Sequence, residues 1–265
     1  MLWLLEPDLY AEGAHPLTVA ALEAGHAVRR WDDGWWSAGA LPSQEGPVVF
    51  HGSLGNAARI AELGRWTPGA YCNTAGFSCS RWYPAAARWL VHDAFEITTV
   101  EQLVARPREV AGSLADGSGE VFVRPDSPLK PFSGRVVKLD GLTPAHLDHG
   151  FYYEDLELPI VVARTQRLGA EWRFVVAEGR VVTGCRYVAD GRSGAGAEVE
   201  PAAAALAETI AGELTGPDPI YVLDLVESEA GLRMVEINAF SGADLYDCEG
   251  ATVVEAVAEV VGGAA

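Results

Sequence analysis

The sequence predicts an α+β fold preceded by a smaller α/β segment, and three observations carry that prediction. Short apolar strands alternate with helical stretches over roughly the first 95 residues, the order that builds a parallel sheet covered by helices. Beyond residue 94 the strands are rich in Val, Ile and aromatic residues, and tight turns join them in pairs. Hydrophobic residues make up 49% of the 265 and charged residues 21%, values that suit a folded chain with a sizeable core.

In order, LWLLE (2–6) reads as a first strand, 15–24 as a helix after a Pro-containing lead-in, and HAVRRW (26–31) as a second strand. PVVFHGS (47–53) is a third, followed by the helical NAARIAEL (56–63). No Gly-rich turn follows the first strand and no G-x-x-x-x-G-K-[ST] loop occurs, so neither dinucleotide binding nor a P-loop is supported. The domain boundary is expected near residue 94, giving segments 1–93 and 94–265. In the second segment EVFVRP (120–125), PIVVART (159–165), EWRFVVA (171–177), RVVTGCRYV (180–188), YVLDLV (221–226) and RMVEIN (233–238) read as strands. PAAAALAETIAGEL (201–214) is a helix with Pro in its first turn. Hairpins are expected at Glu178-Gly179 and at 229–231. The stretch 139–158 matches no pattern.

Nineteen basic against thirty-seven acidic residues leave a net charge of −18. Such a surface repels phosphate backbones and anionic lipid, which argues against nucleic-acid and membrane partners. A local cationic pocket bridged by metal still admits a phosphorylated ligand. Four cysteines (Cys72, Cys79, Cys185 and Cys248) are too few and scattered for a disulfide scaffold, and no C-x-x-C or H-E-x-x-H spacing offers a zinc site. The start lacks a basic n-region and no apolar run reaches eighteen residues, so a cytoplasmic chain is expected.

Three constellations carry chemistry. In FVRPDSPLKPFSG (122–134), Arg124 ends a strand and Lys130 stands in a loop closed by Ser133 and Gly134. Arg is a planar fork and Lys a point charge, a pair that suits polyphosphate oxygens, although a solvated turn has the same composition. In the second, a two-residue turn at 178–179 pairs positions summing to ~357 by strand geometry, which sets Glu171 opposite Arg186. The pair is either a cross-strand ion pair or, with Arg173, a cationic wall for phosphate or carboxylate. In the third, Glu236 and Asn238 share one strand face. A three-residue turn then sets Asp224 opposite Glu236, two carboxylates that repel unless a cation joins them. Asp, Glu and Asn oxygens are hard ligands of the kind Mg²⁺ takes together with substrate phosphates.

The order of these pieces, F-V-R-P-D-S…K-x-F-S-G, then E-W-R-F-V-V, then Y-V-x-D…V-E-I-N-x-F-S, resembles the ATP-grasp superfamily. It is most similar to the clade in which arginine replaces the first phosphate-binding lysine. The likeness covers residues 94–265, and the preceding segment resembles the small Rossmann-like pre-ATP-grasp domain of these enzymes. The resemblance implies that Arg124 and Lys130 hold ATP phosphates under the 130–134 loop, including Ser133 and Gly134. It further implies that backbone at Val161, Val162 and Ala163 meets the adenine edge with Glu171 near the nucleotide. Arg186, with Arg173, would serve the transferring phosphate, and Asp224, Glu236 and Asn238 would hold Mg²⁺. The expected activity is that of an ATP-dependent carboxylate–amine ligase acting through an acyl phosphate on small-molecule or peptide substrates. A kinase on the same fold and a non-catalytic nucleotide-binding module are the alternatives.

Overall fold

A computed structural model describes residues 1–9, 15–147, 155–189, 192–196 and 198–263. The chain divides into two compact units. Unit 1 holds Met1–Asn73, Ala170–Leu225 and Glu236–Ala265, and unit 2 holds Thr74–Gly169 and Val226–Val235. The boundary expected near residue 94 falls inside unit 2.

Unit 1 begins with β1 (Leu2–Leu5), α1 (Leu17–Glu23), β2 (Ala27–Arg30), α2 (Gly34–Ala38), β3 (Val48–His51), α3 (Leu54–Leu63) and β4 (Pro68–Gly69). These strands form a parallel sheet in the order β2-β1-β3-β4, with Trp3 between Val28 and Val49. All four residues of β1 are buried, which is why its sequence is continuously apolar rather than alternating. Ser53 caps α3 by accepting from the Asn56 N–H, and Gly64 stops that helix in the left-handed conformation.

The next segment supplies unit 2: α4 (Cys79–Ala86), β5 (Phe95–Thr99), α5 (Val100–Ala105), α6 (Pro107–Ala111), β6 (Glu120–Pro125), β7 (Arg135–Lys138) and β8 (Pro159–Ala163). Its antiparallel sheet runs β5-β8-β6-β7. Val121, Val123, Ile160 and Val162 turn to one face and pack with Val100 and Leu103 of α5. Phe122, Arg124, Val161 and Ala163 therefore share the other face, Arg124 lying opposite Val161 and Phe122 opposite Ala163. Of the stretch 139–158, a 3-10 turn at Pro144–Leu147 is described and residues 148–154 lie outside the described residues.

The chain then forms β9 (Leu168–Ala177), β10 (Arg180–Ala189), β11 (Arg192–Gly196), α7 (Pro201–Glu213), β12 (Ile220–Ser228), β13 (Gly231–Ala239) and α8 (Gly250–Gly263). The sheet order is β11-β10-β9-β12-β13. Glu178 and Gly179 take φ of 47° and 75°, the paired positive values of a two-residue hairpin turn, so this hairpin forms where the sequence places it. Helix α8 is an element that the sequence reading does not supply. Its Val253, Val254, Val257 and Val260 join Trp3, Leu5, Leu17, Val175, Ile220 and Val222 in one core. That shared core explains why the amino-terminal sheet belongs to the same unit as the carboxy-terminal helix. No helix among the described residues is long and apolar enough to cross a membrane.

Candidate functional site

The β9–β10 ladder departs from the register that the turn alone dictates. Arg180 opposes Ala177 and Val181 opposes Val176, but irregularities between Val181 and Thr183 and between Arg186 and Val188 each add a residue to β10. Arg186 consequently lies opposite Trp172, and Glu171 opposite Val188. A slip of one residue exchanges the two faces of a strand. The expected Glu171–Arg186 pair is therefore corrected. Arg173 pairs with Cys185, so Arg173 and Arg186 project to opposite faces and do not form a common cationic wall.

Tyr187 takes the place expected of Arg186, because its hydroxyl donates to the Glu171 carboxylate. Burial pushes the Glu171 carboxyl above its usual range; the Tyr187 hydrogen bond opposes this and the charges of Asp224 and Glu236 add to it. Burial, Asp224 and Glu171 likewise push the Tyr187 phenol upward, so it stays protonated and remains a donor.

Arg173 is bound into the floor of the site. Its Nε and Nη2 donate to the two Asp224 oxygens at 2.8 and 2.7 Å, and its Nη1 donates to the Asp244 carbonyl at 2.5 Å. The side chains are 9% and 1% exposed. Burial by itself would lower the guanidinium pKa, but Asp224 outweighs it and the net shift is upward, so the guanidinium stays charged. The planar fork matches the carboxylate in both position and number of donors. The guanidinium also lies 5.2 and 5.0 Å from the ring centres of Tyr187 and Tyr246, which stack on each other at 4.8 Å and within 3° of parallel. Arg173 thus neutralises Asp224, and the uncompensated repulsion expected between Asp224 and Glu236 is relieved by a cation within the protein.

Asn238 links those two carboxylates. Its side-chain nitrogen lies 3.1 Å from an Asp224 oxygen and 3.0 Å from a Glu236 oxygen. Among the described residues no three His, Cys, Asp or Glu side chains converge as a metal site. Two carboxylates converging on one amide nevertheless fit Mg²⁺, which is held by one or two carboxylates and completes its shell with water and substrate phosphate. For Asn238 to join that shell its amide must present oxygen instead of nitrogen, a half-turn about the terminal bond.

In unit 2, Arg124 is fixed on β6 at 9% exposure, while Lys130 is exposed in the 126–134 loop with a left-handed φ of 48°. His92 stacks on Phe122, which shares the sheet face with Arg124. Ser133 and Gly134 are exposed, and a Cβ on Gly134 would come within 2.7 Å of the Phe122 ring, so the loop needs glycine there to pass the sheet. Val161, Val162 and Ala163 are paired with β5 on one side and β6 on the other. Their backbone groups belong to the ladders, and the chain leaves the strand after Ala163.

The structure thus gathers Glu171, Arg173, Asp224, Glu236 and Asn238 in unit 1 and places Arg124 and Lys130 in unit 2. Sequence reasoning missed Tyr187, Tyr246 and the Asp244 carbonyl. Tyr187 was hidden by the two register irregularities, and a backbone carbonyl leaves no trace in residue type.

A sequence model for an ATP-grasp domain, the third family of its clade, matches residues 61–258. No curated protein matches at a significant level. Among solved structures, a RimK domain ATP-grasp protein from Sphaerobacter thermophilus DSM 20745 is similar at 19% identity and TM-score 0.62, covering 98% of this chain and 99% of that one. D-cycloserine synthetase DcsG is similar at 17% identity and TM-score 0.66, with the same coverage. D-alanine–D-alanine ligase from Bacillus anthracis complexed with ATP is similar at 9% identity and TM-score 0.61, covering 99% of this chain and 97% of that one. At these identities the likeness is one of fold.

Proposed function

The chain belongs to that family of ATP-grasp domains, and from this membership we propose that it is an ATP-dependent carboxylate–amine ligase. The observation that carries the reading is the convergence of Asp224 and Glu236 on Asn238, backed by the Arg173 clamp. A module that only bound nucleotide would have no use for two carboxylates aimed at one point.

In this reading Arg124 and Lys130 hold the ATP phosphates, and Asp224, Glu236 and Asn238 hold Mg²⁺, which supplies charge neutralisation to the polyphosphate. Arg173 acts by position: it fixes one Asp224 rotamer and so prepares the acidic wall before nucleotide arrives. Phosphoryl transfer to a carboxylate needs alignment and charge compensation rather than a protein nucleophile. The resulting acyl phosphate is open to attack by an amine, which expels phosphate and leaves an amide. The fold relatives named for D-alanine and D-cycloserine support small-molecule substrates, while a further fold relative, the ATP-grasp ligase PsnB complexed with a precursor peptide, supports a peptide one.

Incubation with Mg-ATP, candidate carboxylates and hydroxylamine tests this directly. A ligase yields ADP, phosphate and a hydroxamate, with loss of all three in Glu236→Gln. A phosphorylated product without free phosphate would indicate a kinase instead, and nucleotide binding with no turnover across carboxylate libraries would favour the binding module.

A further inference from the structure

Two buried thiols lie against the residue that organises the acidic wall. Cys185 on β10 and Cys248, just before α8, are both free cysteines, and their sulfurs are 3.4 Å apart. Cys185 is directly opposite Arg173 in the ladder, and the Cys248 sulfur is 3.8 Å from the Arg173 carbonyl. The Cys185 sulfur is also 3.7 Å from the Leu245 carbonyl. The loop joining β13 to α8 is also held by Arg173, which donates to the Asp244 carbonyl. In that loop Tyr246 has a left-handed φ of 47° and donates its N–H to the Asp244 carboxylate at 2.9 Å. A residue other than glycine in that conformation persists only where its surroundings impose it.

We propose that Cys185 and Cys248 form a redox-sensitive pair whose closure to a disulfide displaces the 243–248 loop and weakens Mg-ATP binding. The second half of this inference rests on the nucleotide reading given above. The distance requires movement: a disulfide is about 2.05 Å long, so the sulfurs must close by more than ~1 Å. Cys185 is fixed within a five-stranded sheet, whereas Cys248 is in a loop, so the loop yields. Its displacement pulls on the contact to Arg173 and on the tyrosine stack that covers the Arg173–Asp224 pair.

The oxidant class that fits is a small peroxide. Both cysteines are buried, but Cys248 is the less buried, at 8% exposed, and lies in a loop rather than in the sheet, so an oxidant that enters as the loop opens meets Cys248 first. Its sulfur attacks hydrogen peroxide, an S–O bond forms as the O–O bond breaks, and the leaving hydroxide takes the thiol proton as water. The Cys185 sulfur then attacks the sulfenic sulfur of Cys248; the S–S bond forms, the S–O bond breaks, and the Cys185 proton leaves with that oxygen as a second water. The two sulfurs lose two electrons and the peroxide gains two. Proximity favours this closure over further oxidation of Cys248, because the second thiol is already in contact.

The test treats the full-length chain with hydrogen peroxide and maps disulfides by mass spectrometry of a non-reducing digest. The expected result is a peptide linking Cys185 to Cys248, at least tenfold faster hydrogen exchange over 243–248, and roughly tenfold weaker Mg-ATP binding, all reversed by dithiothreitol. Cys185→Ser and Cys248→Ala should bind Mg-ATP as the reduced parent does and lose the response to peroxide. Overoxidised Cys248 without the link would overturn the proposal, as would a link that leaves exchange and affinity unchanged, or a response that survives in both variants. A reduced chain that never binds Mg-ATP would instead defeat the nucleotide reading. The link and the exchange would then still decide the thiol pair.

Discussion

The acidic wall of unit 1 and the cationic residues of unit 2 solve the problem of holding charge in opposite ways. Asp224 is almost wholly buried and gripped by two donors of a planar fork, and Glu236 and Asn238 lie on β13 beside it in the same sheet order. Lys130 is exposed in a loop in a left-handed conformation, and only Arg124 of the two cations is seated in a strand. The first arrangement is stiff and costs desolvation, which the mutual attraction of Arg173 and Asp224 offsets. The second leaves Lys130 exposed, where its charge costs little desolvation.

The comparison breaks most visibly at Arg173. Arg173→Ala leaves Asp224 charged and buried without its main partner, and should cost ~3–5 kcal/mol in urea unfolding. Replacing both partners by apolar residues, Arg173→Met with Asp224→Leu, should recover most of that stability and none of the Mg-ATP binding. A single variant as stable as the parent would show that the pair is not the clamp described here.

Each unit also contains buried histidine held neutral, which predicts a matched response to acid. Burial lowers His15, in unit 1, to about 4. In unit 2, burial and then the Arg124 charge lower His92 to about 4. The unfolded chain binds these protons near 6.5 and the folded chain does so only near 4. Stability is therefore full above ~6.5 and falls as the pH drops towards 4, by on the order of 3 kcal/mol per histidine. Urea midpoints measured from pH 7 to ~4.5 should fall, and the slope should shrink in His15→Gln and His92→Gln separately. A slope unchanged by both substitutions would assign the acid response to carboxylates.

The smaller effects separate the two cations. Arg124→Ala should weaken Mg-ATP binding by ~1.5–3 kcal/mol, roughly ten- to hundredfold, and Lys130→Ala by less because its ordering is offset against the contact. Lys130→Gly sharpens the point. It should stabilise the fold by ~0.5–1 kcal/mol by relieving the left-handed residue, while still weakening nucleotide binding. Equal losses of affinity at Arg124 and Lys130 in calorimetric titration would erase the distinction between the buried and the exposed cation.

What the sequence determined by itself is the set of features decided within a few residues. The alternation of LWLLE, AVRR and VVFH with helical stretches is local, and so are the turn at Glu178-Gly179 and the helix begun by Pro201. That Glu236 and Asn238 share a face was legible for the same reason, since alternation is a property of one strand; Asp224 comes from the neighbouring strand, and the turn between them is Glu229-Ala230, one residue shorter than the turn expected. Tertiary structure decided the rest. Arg173 finds Asp224 across 51 residues of sequence, a choice no local periodicity encodes. The irregularity at 181–183 moved Arg186 off the face of Arg173, because one inserted residue exchanges the faces, and the second, at 186–188, left Tyr187 where its hydroxyl reaches Glu171. Which strands flank Val161–Ala163 was also set by tertiary pairing, β5 on one side and β6 on the other. The core shared by Trp3, Val175 and Val257 likewise tied the first segment to the last. A strand's residues carry its period, but its neighbours and its slips are set by the buried surface of the whole unit, which exists only once the chain has folded.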